Sequence, residues 1–316
     1  MKKRYDIVSI GLMAYDMILR TVDESLFARD ATLLEGLGVS SGGGAMTQAV
    51  IARRLGCRTA LVGKVGGDSF GKNLMNILAE DGVDDTHVRV SPEDTTMVTI
   101  ALVKPDGTRN FLTWEGSNNK TLCLADFDLS VVREARIVSY GSFFFLQSLD
   151  RSGSRIILEE AREHGAITVA DAASDAFGQG RDTVLEKLPL LDYFIPSYDE
   201  ATYLTGQKDY CKMADTFLNL GCGNVVIKLG KEGCYVRSRE EGKKIETYGA
   251  VAVKDTTGAG DNFVGGFMAG LIDGMDIFSA ARYANAVASV SVTGMGAVTA
   301  VKNKQQVLAL MGCEEY

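Results

Sequence analysis

The chain has 316 residues, 46% of them apolar and 23% charged, enough to bury one large core and too apolar for a disordered chain. Lys and Arg number 33 against 41 Asp and Glu, a net charge of −8, and no long basic stretch appears, which argues against nucleic acid and anionic membranes as partners. No apolar run approaches the roughly 20 residues that span a bilayer, and Asp6, Asp16 and Arg20 interrupt the N-terminal one, so a soluble chain without a signal peptide is expected.

The first strand is expected to end in Gly11-Leu12-Met13-Ala14-Tyr15-Asp16. That ending lacks the GxGxxG turn of a dinucleotide-binding dehydrogenase. Gly42-Gly43 then precede a helix over Ala45 to Leu55, and Val62-Gly63-Lys64-Val65-Gly66-Gly67-Asp68-Ser69-Phe70-Gly71 follows. This second stretch nearly spells a phosphate-binding P-loop, but Asn73 stands where the magnesium-binding Ser or Thr belongs.

Val98 to Val103 and Asn110 to Trp114 are strand-like and are joined by the turn signal Lys104-Pro105-Asp106-Gly107-Thr108, predicting an antiparallel hairpin. Together with the segment from Asp16 to Leu37, it is expected to form a small β lid, about 12–40 and 95–116, over the edge of a larger sheet. The lid reads as an insertion into a single domain spanning 1–316.

From Arg136 onward, β-branched runs alternate with helical patterns. Ile137 to Tyr140, the helical stretch Arg151 to His164, Ala166 to Val169, Tyr193 to Ile195, helices from Tyr198 and near Met213, and Val225 to Ile227 follow one another. This rhythm predicts an α/β fold with a mostly parallel sheet, helices on its two faces and ligands at its carboxyl edge.

His87, in a turn-like acidic stretch, and His164, at a helix end, are the two histidines; both read as surface residues, so His triads and His-rich metal sites drop out. Cys57, Cys123, Cys211, Cys222, Cys234 and Cys313 are scattered without a CxxC pair, as suits reduced thiols in a cytoplasmic setting.

The chemistry concentrates in Lys254-Asp255-Thr256-Thr257-Gly258-Ala259-Gly260-Asp261-Asn262-Phe263, with Val264, Phe267, Met268 and Leu271 continuing one helical face. A glycine-rich turn opening a buried helix lets successive N–H groups converge on an anion. Asp261, in the first helical turn, is placed either to cap that helix or to accept a proton from a hydroxyl beside the anion hole.

With this motif the chain resembles the ribokinase family, the PfkB carbohydrate kinases, whose C-terminal signature reads DTTGAGD. The glycine pair at 42–43, the VGxDxxG-like loop, Asp106-Gly107-Thr108-Arg109 and Pro196-Ser197-Tyr198-Asp199-Glu200 keep the family's order over nearly the whole chain. The resemblance implies a ribokinase-like fold, ATP and Mg²⁺, and transfer of the γ-phosphate to a hydroxyl of a small sugar. A nucleoside acceptor, or a non-catalytic sugar or nucleoside sensor, is the alternative.

By the same resemblance Asp261 is the base and Gly258, Ala259 and Gly260 form the anion hole. Asp16, Gly42, Gly43 and Thr47 hold the substrate. Lys228, Gly230, Gly233 and Asn285 face the nucleotide, and Glu200 orders metal-bound water, although Ser197 and Glu200 also spell a capping box. Asp255 and Thr257, with backbone near Ser291 and Gly296, correspond to a potassium site, where Ala300 replaces a frequent Ser.

Thr47 and Ser197 stand where the family usually has Asn, and Lys228 where Thr is common. Among the aromatics, Phe143 to Phe145 are expected in the core, though they and Trp114 could stack on a base. Gln147 is a candidate for the substrate wall. An exposed lid face predicts a homodimer through the lids.

Overall fold

Consecutive strand residues point to opposite faces, so apolar pairs such as Ile7-Val8 and Ile137-Val138 require cover on both sides of a sheet. The computed structural model, which describes residues 3–104, 109–114, 116–249 and 251–312, supplies that cover. Its strands are β1 (Tyr5–Gly11), β2 (Ala14–Arg20), β3 (Gly36–Gly42), β4 (Thr59–Gly66), β5 (Asp84–Ser91), β6 (Met97–Val103), β7 (Arg109–Trp114), β8 (Ala135–Phe143), β9 (Ile167–Ala172), β10 (Tyr193–Phe194), β11 (Asn224–Lys228), β12 (Cys234–Arg237) and β13 (Gly242–Ile245).

Among the described residues the large sheet has nine strands in the order β13-β12-β11-β10-β9-β8-β1-β4-β5. Pairing is parallel from β5 to β11, and the β12–β13 hairpin continues it antiparallel. Side-chain alternation sorts the core into two layers. Val8, Val138, Ala170, Phe194 and Val225 pack with the helices Ser154–Glu163, Tyr198–Thr205 and Tyr210–Asn219. Ile7, Ile137, Val169, Ile195 and Val226 pack with Ala259–Ile272, Ile277–Ser291 and Lys304–Leu310.

The smaller sheet, β3-β2-β6-β7, leaves the large one where the chain passes from Gly11 through Leu12 and Met13 into β2. β2 pairs antiparallel with β3 and parallel with β6, and β6 pairs antiparallel with β7. Its own buried cluster is small: Ile18, Ala101 and Val103, with Met295 packed against them.

Several local expectations change. Asp16 is not at the end of the first strand, because β1 stops at Gly11 and Asp16 lies within β2. His87 is not in a turn but on β5, paired with Val62. β5 reads as polar because it is the sheet's edge strand, with no fully buried position. The first long helix runs Gly44–Arg54, one residue earlier at each end than expected. Pro105 to Thr108, the side chain of Arg109, and Cys313 lie outside the described residues.

Asp68, in the P-loop-like stretch, caps the Ser69–Asp81 helix: its carboxylate accepts bonds from Gly71 N (2.8 Å), Thr96 N (2.8 Å) and Thr96 Oγ1 (2.9 Å). It thereby ties that helix to the start of the smaller sheet. Asp68→Ala removes a helix cap and leaves the Thr96 N–H without its acceptor, so denaturant unfolding should show a loss of about 2 kcal/mol.

Candidate active site

Parallel strands deliver their carboxyl ends to one edge, and there the chain brings its functional side chains together. The glycine-rich turn occupies the same edge. Gly258 is the N-cap of Ala259–Ile272 at φ 70°, and a Cβ on it would lie 2.4 Å from the Ala297 Cβ, so both conformation and space demand glycine. Asn262 holds the turn down, donating from Nδ2 to Gly258 O (2.8 Å) and Ala297 O (2.7 Å). Asp255 braces it, accepting from Thr257 N (2.9 Å), Thr257 Oγ1 (2.7 Å) and Gly296 N (2.8 Å).

Two clefts meet at this turn. One, of about 1050 Å³, runs beneath the smaller sheet past Asp16, Gly42–Gly44, Thr47 and Asp261. The other, of about 380 Å³, lies between the β11–β12 connection and the Ile277–Ser291 helix, past Gly233 and Asn285. Lys228, Gly230, Thr256, Ala259 and Gly260 line both.

Asp261 does not cap its helix; its carboxylate makes no hydrogen bond within the described protein. It faces the larger cleft, with Oδ1 3.1 Å from where a Cβ on Gly44 would sit. Burial first, then the negative charges of Asp171, Glu200 and Asp16, raise its carboxyl to about 7 against the opposing Lys228 ammonium. A carboxyl that half-ionises near neutrality suits a general base.

Also along the larger cleft, Asp16 is buried and its carboxylate lies flat against Gly42, where an added Cβ would stand 2.2 Å from Oδ2. Glycine at 42 is therefore what admits the acid. The Asp16 carboxylate likewise makes no hydrogen bond to the described protein, and burial, then the charge of Asp255, raises it to about 7. Gly43 is the N-cap of the following helix, and Thr47 one turn later has a buried Oγ1 without a partner. The Asp16 and Asp261 carboxylates and the Thr47 hydroxyl thus lie along one cleft without a partner in the described protein.

The remaining candidates divide. Ser197 and Glu200 form the capping box, with Ser197 N donating to Glu200 Oε2 (2.6 Å) and Glu200 N to Ser197 Oγ (3.3 Å). Glu200 nevertheless lines the larger cleft, and burial raises its carboxyl while Lys228 opposes the rise. Asn285 borders the smaller cleft, but its amide donates to Ile245 O (3.1 Å) and Glu246 O (3.2 Å), so it shapes that wall through its packing. The Ser291 hydroxyl donates to Ala288 O at 2.8 Å, and the Ser291 carbonyl accepts from Gly294 N.

Phe143 and Phe144 are core residues, whereas Phe145 lines the larger cleft where Gln147 does not. Trp114 is exposed and outside both clefts.

Asp171 escaped sequence reasoning. It is the last residue but one of β9, accepts from Ser142 N (2.7 Å) and Gln48 Nε2 (3.1 Å), and lines the larger cleft beside Lys228. The available signal was a carboxylate closing an apolar parallel strand, at the edge where ligands bind. Ser142, at φ 72°, and Gln48, which also accepts from Ser139 Oγ (2.7 Å), complete this buried network.

Comparison with known proteins follows the same lines. The model of the pfkB family carbohydrate kinases matches residues 4–304. A ribokinase of Haemophilus influenzae is 29% identical over 280 residues, covering 86% of this chain and 88% of that protein. A probable fructokinase-3 of Arabidopsis thaliana is 28% identical, covering 96% and 91%. The structure of Arabidopsis thaliana ribokinase complexed with ribose and ATP superposes with a TM-score of 0.83 at 24% identity, over 99% of this chain and 100% of that one. The fold is ribokinase-like.

Because the folded state raises the Asp16 carboxyl from 3.8 to about 7, it holds a proton that the unfolded chain releases between those values, and stability falls as pH rises through that window. Asp16→Asn should therefore raise the thermal midpoint by a few degrees at pH 8 and leave it nearly unchanged at pH 4, as calorimetry at the two pH values would show.

Proposed function

The chain belongs to the pfkB family of carbohydrate kinases, and we propose that it transfers the γ-phosphate of ATP to a hydroxyl of a small sugar, with Asp261 as the base. The observation that carries this reading is the meeting of two clefts at the Thr256–Asp261 turn, with an unpartnered carboxylate on the side of the larger one. An acceptor in the larger cleft and a triphosphate reaching in from the smaller would bring hydroxyl and phosphorus together over the backbone N–H groups of Ala259 and Gly260.

Asp16, Thr47 and the backbone at Gly42 and Gly43 would hold acceptor hydroxyls. The acceptor oxygen forms its bond to the γ-phosphorus, the β,γ-bridging P–O bond breaks with its electron pair on ADP, and the hydroxyl proton passes to Asp261. Among the described lining residues of the larger cleft, Lys228 is the one cation, and it sits at the junction. That distribution favours an uncharged sugar over one already carrying phosphate or carboxylate.

Mg²⁺ would arrive on the triphosphate, with Glu200 reaching it through water; hard cations of this size are commonly held by one or two carboxylates plus phosphates. Asp255 and Thr257, bonded to each other and to the Gly296 segment, are where potassium would act by stiffening the same turn. The described cysteines are free, which suits a cytoplasmic enzyme.

The outer face of the smaller sheet supports a homodimer. Val39, Met17, Ile100 and Leu112 lie in one row across its strands, with Leu37 and Trp114 in neighbouring rows, and Leu37, Val39, Leu112 and Trp114 are exposed. A second copy offering the same face would cover that apolar surface. Leu37→Glu combined with Leu112→Glu should convert a dimeric mass to a monomeric one in light scattering; a wild-type chain that stays monomeric at high concentration would overturn the dimer.

ADP release with Mg²⁺-ATP against a panel of sugars, sugar acids, sugar phosphates and nucleosides tests the reaction. Asp261→Asn should lower turnover by roughly a hundredfold or more while nucleotide affinity stays within a few fold. In the wild type, kcat/KM should rise as pH passes through about 7, as the Asp261 carboxyl ionises. A variant turning over at the wild-type rate would remove Asp261 as base.

A further inference from the structure

Lys228 is the last residue of β11, with its backbone fixed on both sides: its N–H donates to Pro196 O at 2.9 Å on one, and it pairs with Cys234 of β12 on the other. From this anchor the side chain reaches across the strand ends to the glycine-rich turn, where a Cβ on Gly260 would lie 3.3 Å from Nζ. The residue lines both clefts. Its ammonium is therefore at the place a phosphoryl group would cross from one to the other.

Its charge is not used by the fold. Asp171 on β9, Glu200 on the Tyr198–Thr205 helix and Asp261 on the Ala259–Ile272 helix all feel its field. Yet among the described residues Nζ makes no hydrogen bond and no ion pair within 4.0 Å. A lysine tethered at its backbone and held short of three carboxylates has its donors available to an incoming anion.

We infer that Lys228 is a catalytic residue of this kinase, donating to the γ-phosphoryl group of bound triphosphate and following it from ADP to the acceptor oxygen. The inference rests on the kinase reading and adds a full positive charge to the backbone N–H groups of Ala259 and Gly260. As the acceptor oxygen bonds to phosphorus and the β,γ-bridging P–O bond breaks toward ADP, the hydroxyl proton neutralises Asp261. One of the carboxylates competing for Lys228 then loses its charge, and the ammonium's field acts more fully on the transferring group; Lys228 itself keeps its protons.

A group that touches the γ-phosphate distinguishes triphosphate from diphosphate even when no reaction occurs. Calorimetric titration of the full chain with the Mg²⁺ complexes of ADP and of the β,γ-imido analogue of ATP reads this directly. Wild type should prefer the analogue by about tenfold or more, the size expected of one charge-assisted contact. Lys228→Met should narrow that preference to within about threefold while changing ADP affinity little, and Lys228→Arg should keep most of it. Turnover of Lys228→Met on the identified acceptor should fall by roughly a hundredfold. If Lys228→Met does not fold, Lys228→Thr takes its place. An undiminished preference in the neutral variant overturns the lysine assignment alone, whereas a wild-type chain that binds neither nucleotide overturns the kinase reading with it.

Discussion

Four of the acids lining the larger cleft are strongly perturbed: Asp171, Glu200 and Asp261 around Lys228 at the carboxyl edge of the large sheet, and Asp16 on the smaller sheet above them. Like charges gathered in a partly desolvated cleft repel one another, and a single cation does not offset them. The carboxyls respond by holding their protons more tightly: burial raises all four, and their neighbours raise Asp261 and Asp16 further. A fold that needed only stability would place apolar residues here. The surrounding architecture is organised to keep the cluster in place.

That organisation is covalent and steric before it is electrostatic. Each acid sits on a rigid element: Asp171 at the end of β9, Glu200 in the first turn of a capped helix, Asp261 in the first turn of a helix buried along most of its length, and Asp16 on a strand whose neighbour offers glycine opposite the carboxylate. Asp171 is held by Ser142 and Gln48, and the glycine-rich turn is pinned by Asn262 and Asp255. Strong supporting hydrogen bonds therefore go to the residues that hold the turn and the cluster's back wall, while Asp16, Asp261 and Thr47 are left to face the cleft. This division between satisfied supports and unsatisfied working groups is what separates a binding site from a buried polar network.

Much of this was legible in the sequence where local rules govern. The glycine-rich turn and its helix, the capping box at Ser197 and Glu200, the alternating parallel-strand core and the hairpin around Val98 to Trp114 follow from backbone geometry and side-chain periodicity, which act over a few residues. The family resemblance then gave roles to Asp16, Thr47 and Asp261 that spacing could not. What stayed hidden depends on distant parts of the chain: β5 looks unlike a strand because it is a polar edge, and Asp171 acquires meaning only beside Lys228, 57 residues on in the sequence. Asn285 shows the reverse case, a residue of the right type in the right wall whose amide is already engaged with the end of β13.

The smaller sheet completes the cleft with little buried apolar surface of its own. Its inner face contributes Asp16, Thr99, Phe111 and Thr113 to the site, but its own buried cluster is confined to Ile18, Ala101 and Val103. Elements with few buried apolar contacts open at lower free energy than the core, and a ligand that bridges them to the core shifts that balance by its differential affinity. An acceptor held between Asp16 on this sheet and Asp261 on the large domain would do so. The smaller sheet is joined to the rest by Asp68, Asn118 and Met295 as well as across the cleft, and an acceptor bound there would couple occupation of the cleft to the order of the sheet that roofs it.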